Sequence, residues 1–548
     1  MELDFNTAGP CFADEHYMLP PERRLGRVLK LITKGQYFSL IGGRQTGKTT
    51  SAQWLADHYN AGDTYCALWI DIQTARERPD PAIAFRVVLN KLDIGVEQML
   101  PGVAVPEERE RYLAIPDTAL LQYLRDLAAR APRPLVVLFD EVDGLVGPAM
   151  VSFLTQLRDG YIARRSTPFP HSVALIGQRQ VRDYVLSEHE REAVRWLGTT
   201  SPFNITAAPV MLESFTAPDV NELLAQHTAA TGQPFEPAAT DRIFELSQGH
   251  PWLVNALAER IIDEDVEDRS VTITVAHVDA AKETILLERR THIDSLIHKL
   301  DDPRVRKILD PMLAGAETGY DGLDDDLTYV IGLGLVRVRA GRVEIANPIY
   351  REAIPRALTY VRQLQIPAEP ASFVQPDGSL DLPKLMAAWR TFWRKDGHLA
   401  AEGFSYREAG PHLMLMAFLQ RVVNGGGRIE REYALGRGAL DLLIAWRDAR
   451  HAIEVKLRRD TETELDALEQ VGRYLDSLGL NEGWLVMFDL RSTLPWDQRL
   501  TSRTLEVGEK RRLASCATIT GIFSLVHSPR SIGLVPGSST TGSRLAGF

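Results

Sequence analysis

Short apolar runs alternate with amphipathic stretches over the first third of the chain. Tyr37–Ile41 (YFSLI), Cys66–Ile72 (CALWIDI), Leu135–Phe139 (LVVLF) and Val173–Ile176 (VALI) are the runs, and each predicts a buried strand. Helical stretches lie between them. One begins near Lys48 (KTTSAQWLADHY), and another is Thr118–Arg130, with Leu120, Leu121, Leu124 and Leu127 at helical spacing. Strands alternating with helices predict a parallel α/β sheet.

From about Thr216 the strand pattern stops. Pro218–Thr231, Pro237–Gln248 and Pro251–Ile262 each predict an amphipathic helix. The next block holds helix-like His292–Leu300 and Arg304–Leu313, then strand-like Gly334–Arg339 and Arg342–Ile345 joined at Ala340-Gly341. Helices followed by a β-ribbon outline a winged helix. Gln365–Leu382 is rich in proline and glycine and predicts a linker. Helix-like Leu385–Arg394 and His412–Val423 follow, then strand-like Leu440–Trp446, His451–Leu457 and Trp484–Phe488, with a helix from about Glu464 to Leu478. From about Val526 the composition is Ser, Gly and Thr and predicts disorder. The expected units are therefore residues 1–215, 216–285, 286–360, a linker over 361–395, 396–490, and a partly disordered tail over 491–548.

Composition narrows this picture. At roughly 100–200 residues per domain, 548 residues imply several domains with cores of their own. The formal net charge of -11 excludes a basic footprint over the whole chain, so any nucleic-acid site is a local patch. Cys11, Cys66 and Cys516 lie far apart, which argues against a disulfide framework or a zinc site and fits a reducing cytoplasm. The acidic, polar first residues do not read as a signal peptide, and no apolar run reaches membrane-spanning length.

The chemistry concentrates at two places. Gly42-Gly43-Arg44-Gln45-Thr46-Gly47-Lys48-Thr49, followed by Thr50, matches G-x-x-x-x-G-K-[ST] between a strand and a helix. Backbone N–H groups of such a loop and the helix N-terminus receive phosphates. Lys48 is expected at the β/γ-phosphates of ATP and Thr49 on Mg²⁺. Leu135–Phe139 ends in Asp140-Glu141. Asp140 is expected to hold Mg²⁺ through water, and Glu141 to orient or deprotonate the attacking water. Gln178 suits a γ-phosphate sensor, and Arg158, Arg164 and Arg165 are candidates for an arginine finger offered to a neighbouring copy.

FNTAGPCFADEHYMLPPERR, GGRQTGKTT, VLFDEVD, Ser201–Ile205 (SPFNI) and Gly249–Leu257 (GHPWLVNAL) resemble the AAA-like, STAND-related P-loop ATPases over roughly Phe5 to Pro355. The resemblance implies a lid whose Gly249–Pro251 turn packs near the nucleotide. It also implies that His16, Tyr17 and Pro21 lie near the adenine.

The second constellation is Asp441 at the head of DLLIAW and Glu454-Val455-Lys456 in HAIEVKL. Residues i and i+2 of a strand share a face, so Glu454 and Lys456 point the same way, and a hairpin brings Asp441 beside them. Two carboxylates can hold Mg²⁺ against a phosphodiester, and a lysine can polarise the attacking water. This D…ExK arrangement resembles the PD-(D/E)xK nuclease superfamily over roughly Phe404 to Asp489. Gln470 and Tyr474 fit its Q-x-x-x-Y pattern, with Gln470 a further catalytic candidate and Glu408 an upstream metal ligand. Ala439-Leu440 precede Asp441, so the Pro-Asp dipeptide is absent.

Together these features predict a multidomain α/β protein: a P-loop parallel αβα sandwich, a helical lid, a winged helix and a PD-(D/E)xK nuclease-like α/β domain. The expected activity is an ATPase that gates a metal-dependent nuclease acting on nucleic acid, with DNA expected. The alternative is an ATP-driven regulatory or oligomerisation switch carrying an inactive nuclease-like module. Arg304, Arg306, Lys307, Arg337, Arg339 and Arg342 are the winged-helix candidates for touching DNA, and Arg499, Arg503, Lys510, Arg511 and Arg512 form a mildly basic stretch further on.

Overall fold

A computed structural model describes residues 3–107, 109–178, 209–288, 291–313, 318–365, 370–393, 409–423, 427–435, 438–458, 462–489, 500–507 and 512–520. The chain divides into two compact units, residues 1–368 with 408–422, and residues 369–407 with 423–548.

The first unit is built on a parallel sheet of β1 (Phe38–Ile41), β2 (Cys66–Asp71), β3 (Leu135–Asp140), β4 (Ser172–Gly177) and β5 (Val210–Met211), ordered β2-β3-β4-β1-β5. Alternate residues of β3 feed separate cores. Leu135, Val137 and Phe139 pack with Phe85, Val88, Leu120 and Phe153. Val136 and Leu138 pack with Leu25, Ile32 and Leu55. A strand covered on both faces has no polar alternation, which is why it reads as an unbroken apolar run.

The helices Ala217–Thr231, Pro237–Ser247, Pro251–Glu259 and Val275–Glu288 follow. Thr216 opens the first with a reciprocal cap to Asp219. Then come Thr291–Lys299, Pro303–Leu313, β6 (Thr318–Gly319), Asp325–Gly332, β7 (Val336–Arg339), β8 (Arg342–Ile345) and Pro348–Gln365, with β6, β8 and β7 forming a small antiparallel sheet. The β7–β8 turn puts both Ala340 (φ 49) and Gly341 (φ 78) in the left-handed region, the geometry of a two-residue hairpin turn.

The second unit holds a six-stranded sheet of β9 (Gly427–Leu435), β10 (Gly438–Trp446), β11 (Ala449–Arg458), β12 (Glu482–Asp489), β13 (Leu500–Val507) and β14 (Arg512–Thr520), ordered β13-β14-β12-β11-β10-β9. β9, β10 and β11 are antiparallel, whereas β11–β12 and β12–β14 are parallel. The helix Glu462–Leu478 joins β11 to β12 and lays Ala467, Val471 and Leu475 on Leu443, Ala452, Leu485 and Met487.

Three expectations change. The linker bounds of 361–395 are too wide: the helix read at Leu385–Arg394 forms as Leu382–Phe392 after a turn at Pro370–Phe373, with Trp389 and Trp393 fully buried. Trp393 lies 5.2 Å from the Phe488 ring, so aromatic packing ties the end of this segment to the sheet of the second unit. The tail expected from 491 contributes two strands, and β14 pairs with β12 from Leu513 to Thr520. Its small residues (RLASCATIT) gave no apolar alternation to read. The helix Ala409–Val423, expected with the second unit, groups with the first over 408–422, and Leu413–Leu419 are buried on every side.

A buried ion cluster ties the helix Val275–Glu288 to Pro348–Gln365. Glu352, 6% exposed, lies 2.9 Å from Lys282 and also pairs with Arg356, which reaches Glu283 at 2.8 Å. Burial works against the Glu352 charge, but Lys282 and Arg356 outweigh it and hold its pKa below the ordinary value. A carboxylate with a lowered folded pKa stabilises above its unfolded pKa of about 4.3, and that contribution is lost as pH falls through the folded value. Glu352→Gln is expected to cost about 3–5 kcal/mol at pH 7. Thermal midpoints of parent and variant should converge toward pH 3; a gap unchanged between pH 7 and pH 3 would contradict this account.

Candidate functional site

β1, β3 and β4 deliver the P-loop, Asp140-Glu141 and Gln178 to one edge of the parallel sheet. Gly47, with φ 86, turns the loop into the helix Lys48–Ala61. A side chain at Gly43 would stand 2.9 Å from Leu333 O, so that glycine admits a close approach of the following domain's backbone. Lys48 Nζ donates to Gly42 O at 2.9 Å and Gly43 O at 2.7 Å. Burial pulls the Lys48 pKa down, and Asp143, Asp140 and Glu141 oppose that.

Thr49 Oγ1 donates to Asp140 Oδ2 at 2.8 Å. Trp69 Nε1 donates to the same oxygen at 3.2 Å, and the Glu141 N–H donates to Asp140 Oδ1 at 2.9 Å. Burial raises the Asp140 pKa, and these hydrogen bonds oppose the rise. Glu141, with φ 55, leaves β3 in the left-handed region, and burial followed by Asp143 and Asp140 raises its pKa. Arg76 Nη2 lies 3.4 Å from Glu141 Oε2. A cleft of about 960 Å³ is lined by Lys48, Thr49, Arg44, Arg76, Glu141 and Gln178. The hydroxyl of Thr49 and the carboxylate of Asp140 form a hard oxygen pair that fits Mg²⁺.

A second cavity of about 600 Å³ adjoins Gly47 and Thr50 and is lined by Tyr17, Pro21, Phe215 and Pro251 among others. Asn255 donates to Asn6 O at 2.8 Å, and Trp252 Nε1 to Thr7 O at 2.9 Å, so the N-terminal arm is fastened to the lid. The winged-helix-like block reaches the loop as well. His292 shares hydrogen bonds with Gln45 at 2.8 Å and with Tyr350. Arg44 donates to Ser295 Oγ at 3.0 Å, and Lys299 Nζ to Gln178 Oε1 at 2.8 Å. Burial keeps His292 well below the ordinary histidine pKa, so it serves as a neutral bridge.

In the second unit, β10 and β11 bring Asp441 to Glu454. Val455 N–H donates to Asp441 Oδ2 at 2.8 Å, and Lys456 Nζ lies 2.8 Å from Glu454 Oε1. Glu454 is fully buried, and burial and then Asp441 push its pKa up to about 7. Burial opposes the Lys456 charge, but Asp441 and Glu454 outweigh it and raise its pKa. Gln470 Nε2 donates to Tyr474 Oη at 2.6 Å, and Tyr474 is close enough to feel Glu454, Lys456 and Asp441. Two carboxylates against one ammonium leave a deficit of positive charge that suits a divalent cation. Among the described residues no group of three or more His, Cys, Asp or Glu side chains forms a cation site. Glu408 and Ser201–Ile205 lie outside the described residues.

The structure thus brings together Gly42 to Thr50, Asp140, Glu141 and Gln178, and separately Asp441, Glu454, Lys456 and Gln470. Other expectations fail. Arg164 donates to Gly35 O and His171 O and lies 3.9 Å over the Tyr161 ring, so it is a packing residue rather than a finger. His16 holds Phe12 N–H within the arm and does not line the cavity that Tyr17 and Pro21 line. Arg304 and Lys307 pair with Asp326, Arg306 with Asp310, and Arg337 with Glu344. Those cations neutralise the fold's own acids. Arg76 carried no sequence signal, because nothing local ties it to the loop it approaches.

Residues 384–492 match a family model described as a domain of unknown function, DUF8371. No curated protein matches the chain. Among solved structures, the Walker-type ATPase PABY2304 of Pyrococcus abyssi is 13% identical, with a TM-score of 0.45, over 64% of this chain and 99% of that one. Cdc6p from Pyrobaculum aerophilum is 14% identical, with a TM-score of 0.34, over 63% of this chain and 95% of its own. The RuvB Holliday junction branch migration motor of Thermotoga maritima is 15% identical, with a TM-score of 0.32, over 60% and 92% respectively. No helix among the described residues is long and apolar enough to cross a membrane.

A carboxylate whose folded pKa is raised stabilises below its unfolded pKa and loses that contribution as pH rises through the folded value. Glu454 rises to about 7, so its ionised form strains the second unit above neutrality. Glu454→Gln is expected to raise the thermal midpoint of that unit at pH 8 and to lose the advantage by pH 5. Equal midpoints at pH 8 would contradict the cost of burying this charge beside Asp441.

Proposed function

We propose that this chain binds ATP with Mg²⁺ at the P-loop, hydrolyses it, and uses that cycle to gate a metal-dependent nuclease in its second unit, acting on nucleic acid and foremost on DNA. The observation that carries the ATP reading is the 2.8 Å Thr49–Asp140 contact beside the buried Lys48. Lys48 and the loop N–H groups bind the phosphates, Thr49 and Asp140 hold the cation, and Glu141 takes the proton of the attacking water. The cation supplies charge neutralisation at the phosphates. In the second unit, Asp441 and Glu454 hold the divalent cation, and Lys456 orients water and offsets charge developing on the phosphodiester. Gln470 positions Tyr474 beside them.

Lys48→Ala is expected to abolish ATP binding measured by calorimetry. Lys456→Ala is expected to lower cleavage of linear or circular DNA under Mg²⁺ by about 10²-fold or more, and ATP should alter the parent's rate. Intact DNA and RNA across Mg²⁺, Mn²⁺ and nucleotides would sink the nuclease reading.

The second reading is an ATP-driven regulatory or oligomerisation switch, and a specific observation favours it. Gln45, Arg44, Gln178 and Gly43 all touch the winged-helix-like block, so phosphates entering the loop would meet that block's residues. A winged helix that reads DNA is disfavoured, because its helix Asp325–Gly332 opens on Asp324, Asp325 and Asp326. Under the switch reading, His292→Ala should make the block more sensitive to protease in the presence of ADP. Unchanged digestion, together with a solution mass that ATP does not alter, would dismiss it.

A further inference from the structure

The cleft at the P-loop contains a cation whose role the ATP reading leaves open. Arg76 stands five residues past β2. Asp71 pairs in register with Asp140, so the chain leaving β2 runs beside the chain leaving β3. Ile72 N–H donates to Asp140 O at 3.1 Å, and Glu77 N–H to Gly144 O at 2.9 Å, which locks the two segments. A side chain at Gly144 would stand 3.4 Å from Arg76 Cα, so the backbones touch there. The result is a guanidinium placed 3.4 Å from Glu141 and lining the same cleft as Lys48 and Thr49.

The other cleft cations are engaged with neutral groups of the protein. Lys48 donates to two loop carbonyls and Arg44 to Ser295. Arg76 faces the very carboxylate expected to receive the water proton. Its side chain is 48% exposed and that of Glu141 29%, and ion pairs of this exposure are weak and easily exchanged. A guanidinium offers paired N–H donors that match phosphate oxygens better than a single carboxylate oxygen at 3.4 Å.

Resting on the ATP reading, we propose that Arg76 is an arginine finger supplied by the chain itself: it holds Glu141 until ATP arrives, then transfers to the γ-phosphate and releases Glu141. In the step that follows, the water oxygen bonds to the γ-phosphorus and the bond to the β–γ bridging oxygen breaks. ADP leaves with that electron pair, and the water proton passes to Glu141. Arg76 neutralises charge on the γ-phosphoryl oxygens. The ATPase site is then complete without an arginine from a neighbouring copy.

The contact is to the γ-phosphate alone, so the test separates nucleotides. In Arg76→Ala, ADP affinity by calorimetry should stay within about twofold of the parent. Affinity for AMPPNP should fall about tenfold, and kcat for ATP about 10²–10³-fold. Arg76→Lys, which keeps the charge but not the fork, should recover part of both. Glu141→Gln should tighten AMPPNP against ADP by freeing Arg76, and the double variant should not. Equal loss of ADP and AMPPNP, a parental kcat in Arg76→Ala, or the same AMPPNP gain in the double variant would each overturn the proposal. A parent chain that binds neither nucleotide, with Lys48→Ala indistinguishable from it, would overturn the ATP reading and this one with it.

Discussion

Asp140 is a carboxylate at the end of a strand buried on both faces, and the rest of the first unit is arranged around that constraint. An acid 2% exposed costs free energy unless hydrogen-bonded. Thr49, Trp69 and the Glu141 N–H supply the bonds. They fix the P-loop helix, β2 and the turn after β3 relative to one another. That turn takes a left-handed residue at Glu141 and carries the chain back to Asp143, whose carboxylate accepts from Gln178 N–H at 2.8 Å. One buried charge thereby sets the positions of residues from three strands.

The same edge of the sheet is closed by elements distant in sequence. The arm at Asn6 and Thr7 is tied to the lid, and His292 bridges Gln45 to Tyr350. The bridging imidazole is neutral, because burial holds the His292 pKa well below its ordinary value. A neutral bridge keeps its hydrogen bonds without a counter-charge across the whole physiological pH range. Anionic phosphates would be met by the loop amides, Lys48 and the arginines rather than by imidazolium. In the second unit the logic is reversed. Asp441 and Glu454 face each other with Lys456, and burial first and then Asp441 push the Glu454 pKa up to about 7.

Legibility in the sequence followed the range of the forces involved. Leu135–Phe139 announced itself because a doubly covered strand is continuously apolar, and Gly42–Thr49 because a phosphate loop needs its glycines at fixed offsets. The hairpin at Ala340-Gly341 was equally local. The strands over 500–507 and 512–520 were missed, since their residues are small or polar and their pairing partner is another strand. The helix at Leu382–Phe392 was legible from its spacing, but its place in a folded unit rather than a linker was not, because Trp389 and Trp393 pack near Phe488, nearly a hundred residues away. Arg304, Arg306 and Arg337 looked available only because Asp326, Asp310 and Glu344 could not be placed opposite them.

The sequence alone therefore determined the parallel sheet, the phosphate loop with its strand-end acid, and the pairing of Glu454 with Lys456 on one strand face. Each is written in backbone period, turn chemistry or two-residue spacing. Only the tertiary structure decided that Arg76 stands against Glu141, that His292 joins the loop to a later domain, and that Arg164 is a packing residue. Those contacts are made by side chains brought together across parallel strands and between domains, where the partner is fixed by register and packing and leaves no mark on neighbouring residues.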